Sequence, residues 1–403
     1  MSLKTISFFV LLFVSLTFIS CSSDPSAIGS AYLKGDQIKL DSLDSYKDTL
    51  PQVSSTYQYS VPLGYATTFL LGRKGTNVAS MLMSFNIVLP DSITAELQKN
   101  TLTVSSAFVQ LYKSYYFGDS TAPFDYSVHH INTGWTSSTY TIDSFNVWQP
   151  GNQYDPVDIG SNKSYSDTMY QFNISDTKSV LGWLTSVANS TALDNGILLI
   201  PSSGTNKIVG FYALSATTSV DIPFINIVVN KSGFYVDTLR FSTTADLSVV
   251  SGNIPQNQQN DYIYAQSSVT LDSRLKFDIS KLPPHAIINY AELQLTVDTT
   301  KSVFGSTFTD QLIAQFVNDT TNTDSISSKS SSSVALTRST GSSVYTGNIT
   351  YYVQTWLSMK NNKGIQIEPS NYTEGVELWT IYGSKATDLT KRPRLKITYT
   401  NKL

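Results

Sequence analysis

The sequence predicts an all-β protein of two tandem antiparallel β-sandwich domains, jelly-roll-like in type. Three observations predict it. Short runs rich in Val, Ile, Thr, Tyr and Phe alternate with clusters of Gly, Pro, Asn, Asp and Ser, which is the punctuation of strands and turns. Ser and Thr fill 103 of 403 positions and charged residues only 14%, against about 25% charge in ordinary globular chains, so the polar surface is mostly hydroxyl and amide. One series of landmarks also occurs twice in the same order, the mark of an internal duplication. At 403 residues each copy is long enough to bury a core of its own.

From the N-terminus, Lys4 precedes an apolar run from Ile6 to Ile19, a basic segment and hydrophobic stretch of signal-peptide proportions. The run is too short for a stable membrane span, and no later stretch approaches the roughly 20 apolar residues that a spanning helix needs. Residues 1–20 are therefore expected to be a signal peptide and 21–44 a tether. Cys21 is the single cysteine, which excludes a disulfide within the chain. Domain 1 is expected over 45–230 and domain 2 over 231–403.

The duplication rests on paired phrases. Ser84-Phe85-Asn86-Ile87 with Leu89-Pro90 answers Lys276-Phe277-Asp278-Ile279 with Leu282-Pro283, and Val104–Leu111 answers Ile288–Leu295. Trp183-Leu184 answers Trp356-Leu357, and Gly196–Ser202 answers Gly364–Ser370. Both copies close on a strand after a proline, Pro223 and Pro393, and both open on Asp-Thr-Leu, at Asp48–Leu50 and Asp237–Leu239. Gln366 and Glu368 stand where Leu198 and Ile200 stood, so the second copy of this strand is expected to have one solvated face. Helical turns are expected over Asp91–Lys99 and around Trp183 and Trp356, where a short helix would close one end of each sandwich. The serine run Ser325–Ser333 is expected to be a flexible loop.

With a net charge of −3, the basic footprint of a nucleic-acid binder is missing, so no nucleic-acid partner is expected. Among catalytic candidates, His129 and His130 are neighbours on a strand and point to opposite faces; His285 is the third histidine. No nucleophile elbow, phosphate-binding loop or zinc-protease motif occurs. Two carboxylates are enough for glycoside hydrolysis, and the glutamates are Glu96, Glu292, Glu368, Glu374 and Glu377. Glu292 and Glu368 fall on predicted solvent-facing positions whose counterparts are Phe108 and Ile200, which argues against a duplicated catalytic site. Trp183 and Trp356 are equivalent and read as packing, as does Trp379 against Phe211. Trp135 and Trp148 have no counterpart; with Tyr115, Tyr116, Tyr140 and Tyr154 they form an aromatic excess in the first copy. That set is the expected ligand-binding face, with an enlarged sandwich edge as the competing reading. No cofactor is expected; a structural Ca2+ on loop oxygens is an open alternative, although no calcium-loop spacing occurs.

Two resemblances follow from these residues. Ser20-Cys21 resembles the lipobox of bacterial lipoproteins, which implies lipidation of Cys21 and attachment to the membrane through lipid only; Phe18 departs from the usual Leu. Ser22 after the cysteine implies outer-membrane or cell-surface placement. Phe277–Pro283, Ile288–Leu295, Trp356–Ile367 and Arg392–Tyr399 together resemble the DNRLRE or disaggregatase-related β-sandwich repeats, non-catalytic modules of large extracellular proteins. The first copy adds Ile131–Trp135 and Thr136–Thr141, similar to the same family's tryptophan-threonine stretch. That resemblance implies carbohydrate binding or adhesion. Cys21–Pro25, Ile28-Gly29 and Leu70–Gly72 are also similar to Bacteroidetes lipoproteins of the domain-of-unknown-function 4270 type. Repeated Asp-Ser/Thr-apolar triplets, such as Asp91-Ser92-Ile93, resemble the O-glycosylation signal of that lineage. The expectation is a non-enzymatic surface lipoprotein that binds polysaccharide or another envelope component. Its alternatives are an adhesion protein with a surface-protein partner, and a glycosidase or lyase with carboxylates in domain 1.

Overall fold

The computed structural model describes residues 39–191, 195–216, 221–255, 261–318 and 329–401. The expected signal peptide and Cys21 lie outside them. The first part runs β1 (Lys39–Asp44), β2 (Gln52–Gln58), β3 (Thr68–Lys74), β4 (Asn77–Phe85), α1 (Asp91–Gln98), β5 (Thr103–Phe117), β6 (Tyr126–His130), α2 (Ile142–Asn146), β7 (Gly160–Tyr165), β8 (Met169–Ile174), α3 (Thr177–Ala188), β9 (Ile197–Pro201), β10 (Ile208–Tyr212) and β11 (Phe224–Lys231). It continues through β12 (Tyr235–Ser251), β13 (Tyr262–Gln266), β14 (Leu271–Phe277), β15 (Ile287–Thr296), β16 (Leu312–Val317), β17 (Lys329–Leu336), β18 (Val344–Asn348), α4 (Thr350–Met359), β19 (Ile365–Pro369), β20 (Leu378–Tyr382) and β21 (Arg394–Asn401). The fold is all-β, and every paired strand above is antiparallel to its neighbours.

Alternation decides which side chains face inward. On β5, Ala107, Val109 and Leu111 are buried; on β11, Ile225, Ile227 and Val229. These meet Phe69 and Leu71 of β3, Met81 and Met83 of β4, and Val209 and Phe211 of β10 in one hydrophobic cluster. The two layers join at one edge, where β10 pairs both β3 and β5. A second cluster lies between the sheet β1-β21-β15-β18 and the sheet that carries β16, β19, β14 and β13. Leu293, Leu295, Leu395 and Ile397 face Leu275, Phe277, Ile365 and Ile367 across it.

The strand pairing does not follow the expected boundaries. Residues 39–44, placed in the tether, form β1 and pair with β21, Lys39 opposite Asn401. β2, placed in domain 1, pairs with β14, Gln52 opposite Phe277. β12, placed in domain 2, instead pairs with β11 through its first half and with β4 through its second. The leading strands of each copy thus complete the sandwich of the other. Leu50 packs into the second cluster and Leu239, its counterpart, into the first. The matching Asp-Thr-Leu phrases nevertheless differ in structure, Asp48–Leu50 lying in the turn between β1 and β2 and Asp237–Leu239 within β12.

The expected helices are present and longer than a turn or two. Asp176 caps α3 by accepting from the backbone N–H of Lys178 and Ser179, satisfying groups that the first turn leaves open. Trp183 of α3 and Trp356 of α4 are both buried against their clusters. The serine run is partly a strand: Ser330–Ser333 belong to β17, which pairs with β16, while residues 325–328 lie outside the described residues.

A third cluster joins the two sandwiches. Leu70, Leu82, Leu198 and Ile208 face outward from the first one and meet Tyr264, Leu271, Val269 and Val376 of the second. This is why Phe69-Leu70-Leu71 and Ile197-Leu198-Leu199 read as unbroken apolar runs: both faces are covered. Burying one such leucine removes it from water at a gain of about 1.5–3 kcal/mol. The polar counterpart in the second copy is also buried, contrary to expectation, with Gln366 at 2% and Glu368 at 4% exposure. Hydrogen bonds make that burial tolerable. The Gln366 amide donates to Asp272 and to Glu368, and Gln315 Nε2 donates to Glu368 Oε1 at 3.0 Å.

Candidate functional site

The aromatic residues singled out from the sequence do not make an exposed platform. Trp135 is half-buried, and its Nε1 donates to the Asn195 carbonyl at 2.8 Å. Tyr140 meets the Trp148 ring edge-on at 5.3 Å, with Phe145 behind it at 5.8 Å. Tyr154 lies 5.3 Å from the His129 ring. Trp135, Tyr140, Trp148 and Tyr154 all pack against the third cluster, with the geometry of rings covering a sandwich edge. Tyr116 is half-buried, and its backbone exchanges hydrogen bonds with Ser306. Tyr115 is buried at the seam between the sandwiches.

The adjacent histidines point apart, as a strand requires. His129 is buried, with Nδ1 on the Asp155 carbonyl and Nε2 on Ser127 Oγ. His130 stacks on Trp183 and accepts a hydrogen bond from its Nε1 at 3.1 Å. Among the described residues no group of three or more His, Cys, Asp or Glu is placed to hold a metal ion.

Tyr115 leads to the site that the sequence did not single out. A cavity of about 280 Å³ opens at the seam, lined from the first sandwich by Thr67, Thr68 and Tyr115. From the second come Ser267, Thr307, Phe308, Thr309, Asn371, Glu374, Gly375, Glu377 and Trp379. The wall is built stiffly. Glu374 reaches across the seam, where Oε1 accepts from the Thr67 backbone N–H at 2.6 Å and from Thr67 Oγ1 at 3.0 Å, and Oε2 accepts from the Thr68 N–H at 3.1 Å. The Tyr115 hydroxyl accepts from the Val376 N–H at 3.2 Å. Phe308 is 39% exposed. It lies flat on Phe304 at 4.4 Å, and the edge of Trp379 is 6.3 Å away.

Glu377 is buried, at 3% exposure, and its Oε1 has no hydrogen-bond partner. Burial pushes its carboxyl up to about 7, against opposing pulls from Tyr115, Ser267 and Gly305. The physical cause is the cost of holding a charge away from water. Two glycines make room for this arrangement. A Cβ on Gly375 would stand 2.3 Å from Glu377 Oε2, and one on Gly305 would stand 2.1 Å from the Tyr115 ring.

The cavity therefore presents one exposed ring face, several hydroxyl and amide groups, and two carboxylates, both supplied by the second sandwich. Small-molecule sites share that makeup, an apolar wall with a few fixed polar groups. Sequence reasoning named Glu374 and Glu377 only as members of a short glutamate inventory, and passed over Phe308. The available signal was a pair of glutamates three residues apart in a chain that holds five. No family model matches the chain, and no curated protein matches it.

Proposed function

We propose that the chain is a non-catalytic, lipid-anchored protein of the outer membrane or cell surface that binds a polysaccharide, with the seam cavity as the sugar subsite. The cavity carries the reading: the open Phe308 face suits a pyranose ring, and Glu374, Glu377, Thr307, Thr309 and Asn371 offer partners for its hydroxyls. The sequence at Ser20-Cys21 supports the anchor.

The test is affinity electrophoresis of residues 39–403 in gels that contain alginate, pectin, xylan and other glycans, with Phe308→Ala and Trp135→Ala alongside. Retardation in at least one gel, lost in Phe308→Ala and kept in Trp135→Ala, is the expected result. No retardation in any gel, or hydrolysis of a glycan, sinks the proposal. A protein partner is the second reading. It is favoured by the tip of the β11–β12 hairpin, where Phe234 of the turn is 78% and Val236 at the start of β12 is 65% exposed.

A further inference from the structure

A second cavity, of about 570 Å³, lies between the turn that joins β1 to β2 and the chain segment that leads into β21. Its volume is within the range of about 300–1,000 Å³ usual for small-molecule sites. Its charge is opposite to that of the seam cavity: Arg392 and Arg394 line it, and no carboxylate does.

The two arginines are not in the same state. Arg394 is committed to Asp44, with Nε at 2.9 Å and Nη2 at 2.5 Å from its two oxygens. Arg392 is half-buried and uses only Nε, which donates to the Ala386 carbonyl at 2.8 Å. Among the described residues no carboxylate lies within ion-pair distance of it. The Ala386 bond restrains the guanidinium and leaves its two Nη nitrogens, a planar pair of donors on a residue that lines the cavity, with no protein hydrogen-bond partner among the described residues. A carboxylate matches such a pair with two parallel hydrogen bonds. A doubly charged phosphate would call for more cation than one uncommitted guanidinium supplies.

The rest of the wall suits an uncharged body. Tyr46 is 46% and Leu389 53% exposed, and both line the cavity. The rim residue Thr49 has φ 49°. A β-branched residue in the left-handed region is strained by about 1–3 kcal/mol, and such strain gathers at binding sites.

We infer that this cavity binds a small carboxylate-bearing ligand, its carboxylate on the Nη atoms of Arg392 and its body against Tyr46 and Leu389. The inference does not depend on the glycan reading, since it concerns a different cavity. The carboxylate has two possible sources, a sugar acid or a free aliphatic acid.

Calorimetric titration of residues 39–403 with galacturonate, with its neutral methyl ester and with hexanoate separates them. Binding of galacturonate alone assigns the sugar acid, and binding of hexanoate alone assigns the aliphatic acid. Either supports the inference if the ester fails to bind and if affinity falls by about tenfold or more in Arg392→Met, a loss of the size expected for a charge-assisted pair. Leu389→Glu is the second variant. It sits on an exposed position, leaves the Ala386 bond in place and is expected to cause a similar loss by repelling the anion. Three results would overturn the inference: neither acid binding at about 10 mM, the ester binding as well as the acid, or affinity unchanged in both variants.

Discussion

Arg394, seven residues before the end of β21, holds both oxygens of Asp44 at the end of β1 across 350 residues of chain. The pair clamps the exchanged leading strand onto the last strand. The Arg394 hydrogen bond is the main reason that the Asp44 carboxyl lies below its ordinary value. A carboxylate with a depressed folded value contributes stability that is complete above its unfolded value, near 3.8, and is lost as pH falls through the folded one. Asp44→Asn is therefore expected to cost about 1 kcal/mol at neutral pH, a modest figure because solvent screens a partly exposed pair. The difference from the parent should shrink as pH falls below 3.8. Urea unfolding at pH 7 and pH 2.5 checks both statements.

The second sandwich lacks β1 and β2 when residues 231–403 are made alone. Phe277, Leu275 and Ile397 then lose neighbours from across their sheets, and the edges of β14 and β21 are left unpaired. That fragment is expected not to fold cooperatively, and a peptide of residues 39–58 added in trans is expected to restore protection of amides in β14 and β21. Hydrogen exchange read by mass spectrometry is the measurement. Full protection without the peptide would refute the expectation.

Glu377 and Asp246 give stability the opposite pH slope from Asp44. Burial raises Glu377 to about 7 and Asp246 to about 6, so the folded chain holds protons that the unfolded chain has released. Stability is then expected to fall as pH rises from about 4.5 to about 7, and to level off above. For Glu377 the span between those two values corresponds to roughly 3 kcal/mol. Glu377→Gln should flatten that part of the curve and leave the Asp246 part below pH 6. Unfolding midpoints at half-unit pH steps decide it. A parent more stable at pH 8 than at pH 5 would contradict the assignment.

Trp135 and Trp148 are expected to matter for stability and not for ligand. Each is half-buried against the third cluster, so alanine should cost about 2 kcal/mol, below the 3–5 kcal/mol of a fully buried ring. Thermal unfolding and gel retardation measured on the same samples separate the two effects.

Gly305 has no tolerance for a side chain, because a Cβ there would stand 2.1 Å from the Tyr115 ring. Gly305→Ala is expected to shift Tyr115, weaken its hydrogen bond from the Val376 backbone and loosen the seam, with a loss of about 1–3 kcal/mol, the usual cost of overpacking. Tyr115→Leu in the same background should recover part of it. Additive losses would show that the two residues do not press on each other.

The elements of the fold were legible in the sequence, because alternation and turn residues are local. Trp183 and Trp356 were paired correctly as packing residues on short helices, and Trp379 is buried as its match to Phe211 implied. The destination of the leading strands was not legible. Asp48–Leu50 and Asp237–Leu239 carry the same pattern, and only long-range pairing tells which sandwich receives which. Glu368 was hidden for a different reason. A charged residue in an alternating strand reads as solvent-facing, and nothing local reveals that a second sandwich covers that face. Trp135 and Trp148 were visible as an aromatic excess, but a ring that coats an edge and a ring that offers its face leave the same trace in composition.

The exchange of leading strands also bears on how the chain is made. Among the described strands β1 is made first and its partner β21 last, with about 350 residues between them. At typical rates of about 5–20 residues per second, β1 waits on the order of half a minute with neither hydrogen-bonding edge paired. Neither sandwich closes on its own stretch of chain during synthesis, and pairing across so long a separation is intrinsically slow. The nascent protein therefore carries its longest aggregation-prone interval at the start of its life, and Asp41, Asp44 and Lys47 stand as charges in and around the waiting strand that discourage pairing with a stranger.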